Sequence, residues 1–495
     1  MSGKTELNDL RLLVQSKSPI ITIETHEEKR ALELITQLAI HFNKPVFDWD
    51  RVDGLQRSDV TLDLAEIEGS KEPLQALTHI KSVKRPAIFI LCDFHPYLQD
   101  GPKIVRLIKE IALNYPQISH TLIFVSHQIN LPAEIKRYSA RFQLALPSEE
   151  QLEDLVREEA KSWSKSNRGQ KVTTDSETLK KLVRNLKGMS KGDARTLIRN
   201  VISDGAITEE ELPALNKAKF ELLDMDGVLS FEYETSKFSE VGGLANLKNW
   251  LKQRKAVFLD QNIPLDPPKG LMLLGIQGGG KSLAAKAVAG AWGLPLLRLD
   301  FGTLYNKYHG ETEKNLRLSL KMAEQMAPCV LWFDEIEKGL SSGESDGGTS
   351  QRLLATLLTW MAENTTQVFI VATANDISRL PPELMRKGRM DEIFFVDLPD
   401  HQARMDIFKI HLEKRKQTLT DFDLSKLADV SDGFTGSEIE QAVVSSLYRA
   451  YGGGSPMNTI TVSETVKDTR PISVVMSEKI QALRDWAKER TVLAN

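Results

Sequence analysis

A chain of 495 residues is too long for one ordinary domain and favours about three folding units. Its composition, 41% hydrophobic and 27% charged, is that of a soluble globular protein with an ample core. The formal net charge of −4 gives no overall attraction to nucleic acid or to an anionic membrane. The polar start of the chain, and the lack of a run of about eighteen apolar residues, argue against a signal peptide and a membrane span. We therefore expect a cytoplasmic protein, or one from an equivalent compartment.

The first 147 residues alternate between predicted strands and helices. Apolar runs predict strands at 20–25, 46–49, 87–93 and 121–126, and helical patterns cover 27–42 and 101–113. This alternation is typical of a parallel α/β sheet, and strand 87–93 ends in an acid, Asp93, as in nucleotide-binding domains. No glycine loop and no Lys-Ser pair follow the first strand, where His26 to Arg30 stand instead. We interpret residues 1–147 as a degenerate nucleotide-binding-like domain without a phosphate site.

A helical region is predicted at 148–206, followed by an acidic, irregular stretch from about 204 to 237, with the linker itself at 207–237. Residues 188–195 within the helical region resemble residues 433–440 of the second half. This similarity suggests an internal duplication of a domain and its helical lid. The alternative is a helix-start signal that the two segments share.

The two cysteines and nine histidines give no sign of a metal centre. Cys92 and Cys329 each lie in an apolar run, which favours buried thiols in a reducing compartment over a disulfide. The histidines form no ligand pattern with cysteine or glutamate, so the sequence by itself gives no reason to propose a zinc site.

Residues 275–282 spell a complete phosphate-binding loop, G-x-x-x-x-G-K-S, between an apolar strand and an alanine-rich helix. Its glycines allow backbone N–H groups to turn around a phosphate, and an accidental glycine turn is the alternative. Lys281 is predicted to reach the β- and γ-phosphates, and the Ser282 hydroxyl to hold Mg²⁺. The predicted nucleotide-binding residues here are Gly275, Gln277, Gly278, Gly279, Gly280, Lys281, Ser282 and Leu283.

Polar residues at the ends of two later strands complete the predicted site. Asp334 and Glu335 follow an apolar strand, so Asp334 is predicted to bind the Mg²⁺ shell and Glu335 to polarise the attacking water. Asn375 ends a third strand, where an amide can orient that water. Further along, Arg386 and Arg389 suit stabilisation of transition-state charge across a subunit boundary.

With these motifs in order, residues 238–455 resemble an AAA ATPase module. The segment 238–244 is similar to the motif with which that module begins, at the base of the nucleotide pocket. The loop, Asp334 with Glu335, Asn375, and the two arginines match the family's Walker A, Walker B, sensor 1 and arginine-finger positions. Segment 433–438 resembles the lid motif of the subgroup that has no sensor 2 arginine, and that resemblance places Gly436 near the adenine.

The resemblance implies a large ATPase domain at 238–398 with a parallel P-loop NTPase sheet, and a helical lid at 399–455. A C-terminal segment with a helix follows at 456–495. It also implies ATP and Mg²⁺ as cofactors, and a homo-oligomer, a hexamer being favoured, with arginine fingers acting in trans. The whole layout looks like an AAA family encoded as a hypothetical reading frame in many plastid and cyanobacterial genomes and found in other bacteria. That likeness adds the plastid stroma as a second candidate location.

In the AAA family, a loop between the phosphate-loop helix and the Asp-Glu strand lines the central pore of the ring. Here this loop contains Lys307, Tyr308 and His309, and Tyr308 stands at the aromatic position that grips an extended polypeptide. The alternatives are a tyrosine packed in an ordinary loop and a base-stacking platform. His309 replaces the usual aliphatic residue, which argues against processive threading. The family's Asp-Gly-Phe intersubunit signal is not seen at 357–364, and 341–350 is either a second pore loop or an ordinary loop.

Two functions follow from the sequence. The first is a ring-forming ATPase that remodels or unfolds a protein partner, with the N-terminal half as adaptor. The alternative is an ATP-switched binding module that acts on a protein or nucleic-acid complex without threading. A nucleic-acid loader is less favoured because of the net negative charge, and no membrane partner is expected.

Overall fold

The computed structural model describes the chain except for residues 1, 59–66, 68, 100, 224–228, 234–237, 261–262, 307–311, 341–348, 387 and 455. The chain divides into two compact units. The first comprises residues 1–154 and 190–195, and the second comprises residues 155–189 and 196–495. None of the helices in the described part of the chain combines the length and apolar character that a membrane span needs.

The first unit is built on a six-stranded sheet. Its strands are β1 (Ile20–Glu24), β2 (Val46–Asp50), β3 (Gly54–Arg57), β4 (Ile88–Cys92), β5 (Thr121–Ser126) and β6 (Ser139–Phe142). They lie in the order β3-β2-β4-β5-β1-β6, and all neighbours are parallel except β2 and β3. The four strands predicted from the sequence are present, whereas β3 and β6 were not predicted, since each is only four residues long.

Helices cover the sheet of the first unit. They are α1 (Ser2–Gln15), α2 (Glu28–Phe42), α3 (Pro73–Ser82), α4 (Pro96–Gln99), α5 (Pro102–Leu113) and α6 (Ala133–Lys136). Helix α2 forms because its apolar residues recur every three to four positions, so that Ala31, Leu34, Ile35 and Leu38 are buried on one side. Strand β4 is buried along its whole length, as expected when both faces of a parallel sheet are covered.

Three helices follow, as the helical pattern predicts: α7 (Glu149–Ser166), α8 (Ser176–Leu186) and α9 (Lys191–Val201). The sequence predicted irregular structure between 204 and 237. This prediction is wrong at two places, where the chain forms α10 (Leu212–Leu222) and β7 (Leu229–Glu232). These elements form because Phe220 and Phe231 pack against a core cluster of the second unit. The acidic composition of the stretch hid those apolar contacts.

The second unit contains a seven-stranded sheet. Its strands are β7, β8 (Gly270–Gly275), β9 (Leu296–Asp300), β10 (Cys329–Asp334), β11 (Val368–Ala374), β12 (Glu392–Val396) and β13 (Val492–Leu493). Their order is β13-β12-β8-β11-β10-β9-β7, and only β7 runs antiparallel to its neighbour. In β8, Leu271 and Leu273 enter one core cluster while Met272 and Leu274 enter the other, so both faces of the strand are buried.

The remaining helices belong to this unit. They are α11 (Ala245–Leu259), α12 (Lys281–Trp292), α13 (Phe301–Asn306), α14 (Thr312–Gln325), α15 (Glu337–Leu340), α16 (Thr349–Glu363), α17 (His401–Lys414), α18 (Leu424–Val430), α19 (Gly436–Gly453), α20 (Thr459–Asp468), α21 (Ile472–Val475) and α22 (Ser477–Ala487). Helices α17 to α20 share a separate apolar core that includes Phe408, Leu427, Ile439 and Val462. This helical lid follows the sheet, as in a P-loop NTPase.

Five strands of the two sheets share one spatial order and one connectivity. The order β6-β1-β5-β4-β2 in the first matches β12-β8-β11-β10-β9 in the second. Each sheet adds an antiparallel strand at the same edge, but β3 follows β2 in the chain, whereas β7 precedes β8. Gly188 and Gly433, which begin the two similar sequence segments, both have a positive φ, of 85° and 79°, shortly before α9 and α19. These parallels support the hypothesis of an internal duplication.

Candidate nucleotide site

A cavity of 470 Å³ lies in the second unit at the carboxyl ends of β8, β10 and β11, against the lid. This edge of a parallel sheet is where ligands bind in α/β proteins. The residues that line it are Glu240, Val241, Gly242, Leu244, Gln277, Gly278, Gly279, Gly280, Lys281, Ser282, Leu283, Asp334, Glu335, Thr373, Asn375, Ile407, Ile410, His411, Gly436, Ser437 and Glu440.

The phosphate-binding loop turns sharply between β8 and α12. Gly278 and Gly280 have φ values of 79° and 93°, a region that favours glycine because it has no Cβ. Gly278 also lies close to the start of α19, because a Cβ there would be 2.4 Å from Ser437 Oγ. The Ser437 N–H donates to the Gly278 carbonyl at 3.3 Å. The lid therefore contacts the loop directly.

Lys281 begins α12 and is only 6% exposed. Its Nζ donates to the carbonyl oxygens of Gly275 and Ile276, both at 2.8 Å. Burial lowers the pKa of Lys281 to about 8, although the neighbouring acids Glu337, Glu335 and Asp334 oppose that shift. Two neutral carbonyls thus hold a cation that is well placed for a phosphate.

Asp334 ends β10 with each carboxylate oxygen engaged. Its Oδ1 accepts a hydrogen bond of 2.9 Å from Thr373 Oγ1, and its Oδ2 accepts one of 2.7 Å from Arg298 Nη2. Arg298 also lies 3.6 Å from Glu232 on β7, so strand β7 is linked electrostatically to this carboxylate. These bonds fix the direction in which Asp334 faces the cavity.

Glu335 follows directly and adopts a left-handed backbone conformation, with φ at 48°. Such a conformation is uncommon for a residue with a side chain and is found at functional sites. Its N–H donates to Thr373 Oγ1 at 3.1 Å, and its Oε1 accepts from Asn375 Nδ2 at 2.9 Å. Its other oxygen forms an ion pair with Lys338. Glu335 and Asn375, from neighbouring strands, are therefore directly bonded.

A third acid, Glu337, lies beneath this pair and is 4% exposed. Its Oε1 accepts a hydrogen bond from the Asn375 N–H at 2.9 Å, while Oε2 has no hydrogen-bond partner among the described residues. Burial, together with the charge of Glu335, raises the pKa of Glu337. Glu337 thus holds the backbone of Asn375 from below.

Helix α17 of the lid adds aliphatic side chains to the lining of the cavity. Ile407, Ile410 and His411 of α17 line it together with Val241. Burial lowers the pKa of His411, and the Glu440 carboxylate opposes part of that shift. A largely neutral imidazole beside aliphatic side chains suits a flat aromatic ring such as a nucleobase.

Comparison with family models divides the chain into three matched segments. Residues 271–398 match the ATPase family associated with various cellular activities (AAA). Residues 6–144 match the N-terminal domain of SpoVK-like AAA ATPases, and residues 150–226 match their second domain.

Curated relatives match over almost the whole length. The AAA domain-containing protein ycf46 of Trieres chinensis is 35% identical over 489 residues, which cover 97% of this chain and 96% of that protein. The ycf46 protein of Pyropia yezoensis is 36% identical over 490 residues, 97% of both chains. This chain belongs to the ycf46 family of AAA proteins. The proteasome-activating nucleotidase of Aeropyrum pernix is 32% identical over 254 residues, 49% of this chain and 61% of that protein. As an AAA ATPase, this ycf46-family chain binds nucleotide and hydrolyses ATP.

Most of the residues predicted for the site of this ycf46-family chain lie together around the cavity. They are Gln277, Gly278, Gly279, Gly280, Lys281, Ser282, Leu283, Asp334, Glu335, Asn375 and Gly436. Gly275 lies just behind them, since its carbonyl accepts from Lys281. Arg386 and Arg389 are not among the described residues that line the cavity. Lys307, Tyr308 and His309 fall outside the described residues.

Sequence reasoning missed several residues of the ycf46-family site. Thr373 bonds to Asp334 and to Glu335, and Arg298 bonds to Asp334. Glu337 accepts from the Asn375 N–H, and His411 of the lid lines the cavity. Thr373 and Arg298 are polar residues inside otherwise apolar strands, and this pattern could have identified them. A buried polar group needs a hydrogen-bond partner, so such a residue is expected to contact another polar group. No local pattern marks His411, which reaches the cavity only through the packing of the lid.

Proposed function

We propose that this chain uses Mg-ATP hydrolysis in an oligomeric ring, most simply a hexamer, to remodel or unfold a protein partner. The observation that carries the proposal is the convergence of Lys281, Asp334, Glu335 and Asn375 on one cavity that Arg386 and Arg389 do not line. A site with its acids and lysine in one chain but its arginines elsewhere is the arrangement expected when a neighbouring subunit completes it.

The donor atoms available at the cavity fit Mg²⁺. The Ser282 hydroxyl and the Asp334 carboxylate both line it, and hard oxygen donors are the ligands that Mg²⁺ prefers. When bound, the ion neutralises charge that develops on the phosphates. Lys281 would exchange its two carbonyl partners for phosphate oxygens, which form stronger, charge-assisted bonds. The adenine would lie at the end lined by Val241, Ile407 and His411.

In the hydrolytic step, the Glu335 carboxylate accepts a proton from the attacking water, and the Asn375 amide fixes the direction of that carboxylate. Lys338 competes for the same carboxylate, so the ion pair between them has to loosen before Glu335 becomes fully basic. Arg386 and Arg389 of a neighbouring subunit stabilise the charge of the transferring phosphoryl group.

Arg386 is exposed, as a residue that reaches a neighbour would be. It follows a short 3-10 turn, Pro382–Met385, and Arg389 donates to the carbonyl of Glu383 at the same corner. This corner therefore presents two guanidinium groups, one fixed by its bond to Glu383 and one on an exposed residue.

The partner is proposed to be a protein rather than nucleic acid, since the chain has a net charge of −4. Tyr308 would grip it in the central pore, and the first unit would serve as adaptor. The buried free thiols Cys92 and Cys329 fit a reducing compartment, the cytoplasm or a plastid stroma. The domain boundaries inferred above, with the ATPase at 238–398 and its lid at 399–455, belong to this proposal, except that the lid extends to Asp468 because α20 shares its apolar core.

The test has two steps. The Glu335→Gln variant with bound ATP is first used to capture the partner. Unfolding of that partner by the wild-type protein is then measured. Tyr308→Ala should keep basal ATP turnover and lose the unfolding of that partner, whereas Tyr448→Ala, which removes a tyrosine 77% exposed on α19, should change neither. Unfolding that survives in Tyr308→Ala would contradict gripping by this loop.

That contrary result would favour an ATP-switched binding module instead. The contact between Ser437 and Gly278 supports this second candidate, because it lets the nucleotide state of the loop move the lid directly. In that case ATP would alter partner affinity in wild type and Tyr308→Ala alike.

A further inference from the structure

The carboxyl edge of the first sheet corresponds to the edge that holds the nucleotide cavity in the second. Strand β1 takes the place of β8, and α2 takes the place of α12. Where α12 begins with Lys281, α2 begins with Glu28 and is preceded by Glu27. Glu27 is paired with Arg30 at 2.8 Å, so Glu28 is the acid that stands where the second unit has a cation for a phosphate.

Further acids reinforce this reversal. Burial raises the pKa of Glu28, and the negative charges of Asp93, Asp50 and Asp48 raise it further. Such mutual repulsion among carboxylates disfavours an anion at this edge and favours a cation. The first unit is thus not simply a nucleotide site that has lost its loop.

Asp93 corresponds to Glu335. Each residue follows directly on the equivalent strand, β4 or β10, and each has a left-handed backbone with φ at 48°. The Asp93 N–H donates to the Val125 carbonyl of β5 at 3.0 Å, which holds this turn. The first unit has kept the turn that directs an acid toward the edge of the sheet.

Two histidines join Asp93 at this point. One potential ligand atom from each of Asp93, His95 and His127 lies within 4.8 Å of the others. Ser126 Oγ donates to Asp93 Oδ1 at 2.8 Å and lies 2.9 Å from His95 Nδ1, which orients both groups. The rings of His95 and His127 meet edge to face at 4.8 Å, and a further histidine, His26, stacks on His127 at 6.0 Å.

We propose that Asp93, His95 and His127 form a binding site for a divalent transition-metal ion such as Zn²⁺ at the carboxyl edge of the first sheet. Two imidazoles and a carboxylate are donors that suit Zn²⁺ and its first-row neighbours. Ligand bonds of about 2.0–2.2 Å require the donor atoms to draw together by rotation of exposed or half-buried side chains. Ser126 remains beside the carboxylate and orients it as an outer hydrogen-bond partner. Three protein ligands leave a position open for water or a partner's side chain.

The sequence did not predict this site because its ligands come from two strand ends more than thirty residues apart, as the separation of Asp93 and His127 shows. The pattern that marks zinc in sequence is a pair of close cysteines or histidines. Here the pairing of β4 with β5 brings the ligands together.

The test is calorimetric titration of ZnCl₂ into the full-length chain after treatment with a chelator, with Mg-ADP present to occupy the nucleotide site. Wild type should bind one equivalent. His95→Ala, His127→Ala and Asp93→Asn should each weaken binding about tenfold or more. His41→Ala is the matched control, because His41 is an exposed histidine at the opposite end of α2, and it should bind as wild type does.

Zn²⁺ should also raise the melting temperature of wild type and His41→Ala but not that of His127→Ala, since a ligand stabilises only the state that binds it. ATP turnover should be unchanged in all four variants, which reports that the ATPase unit is folded. Asp93→Asn keeps the shape of the side chain and decides the matter if an alanine variant fails to fold. Two results would contradict the proposal: wild type does not bind Zn²⁺, or none of the three ligand substitutions weakens binding. Either result would mean that the cluster is only a hydrogen-bonded network.

Discussion

At the scale of single residues, the nucleotide site is marked by a buried lysine, Lys281. Lys281 is 6% exposed and relies on two carbonyl oxygens, so burial lowers its pKa to about 8 from the usual 10.5. Phosphate oxygens would favour the charged form and raise that pKa again. Protonation of Lys281 and nucleotide binding are therefore linked.

The first prediction follows from this linkage. At pH 8 about half of the nucleotide-free molecules carry a neutral Lys281, so Mg-ADP binding should take up about half a proton. Affinity should be constant well below pH 8 and should fall as the pH rises above it. Calorimetry in two buffers with different ionisation enthalpies measures the uptake.

Two variants control that experiment. Lys281→Ala should weaken nucleotide binding by about 10- to 100-fold, because a hydrogen bond to a charged group contributes about 1.5–3 kcal/mol. Lys286→Ala, on the same helix but paired with Glu232, should behave as wild type does. Binding heats that do not depend on the buffer would show that Lys281 is fully charged before the nucleotide arrives.

Glu335 gives the second prediction. Glu335→Gln keeps the size of the side chain and the left-handed backbone but removes the base, so ATP hydrolysis should fall by about 10²- to 10⁴-fold while ATP stays bound. Single-turnover hydrolysis and nucleotide binding are measured side by side. Glu363→Gln, an exposed acid at the end of α16, serves as the control and should hydrolyse ATP normally. Ordinary turnover in Glu335→Gln would remove this residue from the role of base.

At the scale of elements, the start of α19 packs against the phosphate-binding loop. A Cβ on Gly278 would lie 2.4 Å from Ser437 Oγ and 3.1 Å from Thr435 Oγ1. A methyl group added to the loop at Gly278 would therefore force the hydroxyl groups of Ser437 and Thr435 to move from the positions in which the lid contacts the loop.

The third prediction compares two glycines with similar backbones. Gly278→Ala should weaken ATP affinity about tenfold, because the lid can no longer close on the loop. Gly293 has a φ of 68°, and a Cβ added there would meet no atom within 4 Å among the described residues. Gly293→Ala should therefore lower the free energy of unfolding by about 1 kcal/mol and leave ATP affinity unchanged. Equilibrium binding and thermal unfolding of both variants test this. Equal effects on affinity would mean that strain in the backbone, and not the contact with the lid, limits binding.

The elements also show what a sequence can and cannot predict. The loop at 275–282 and the acids at 334 and 335 are local patterns, in which chemistry depends on neighbours along the chain, so a nucleotide site could be predicted from them, and residues from both line one cavity. Arg298 reaches Asp334 because β9 pairs with β10, and Glu232 joins it because β7 pairs with β9. These contacts depend on long-range pairing, and the short strand β7 has no periodic pattern strong enough to predict.

At the scale of the whole molecule, two sheets that share the order and connectivity of five parallel strands carry opposite chemistry at corresponding edges. The second sheet offers Lys281 and a glycine loop to a phosphate, whereas the first offers Glu28, Asp93 and two histidines. The lack of a glycine loop and of a Lys-Ser pair after the first predicted strand led to the prediction that the first fold has no phosphate site. No pattern in the sequence indicated that His95 and His127 meet, since that contact arises only on folding.

The central claim is that the nucleotide site is shared between subunits, with Glu335 from one and Arg386 from the next. The direct test mixes two inactive variants, Arg386→Ala and Glu335→Gln, and measures steady-state ATP hydrolysis as their ratio is varied. Each alone should be slower than wild type, by about 10³-fold for the arginine variant. In mixed rings an intact Glu335 meets an intact Arg386 of its neighbour, so the mixture should exceed the sum of its components, with a maximum at intermediate ratios. Activity that never rises above that sum would contradict a shared site.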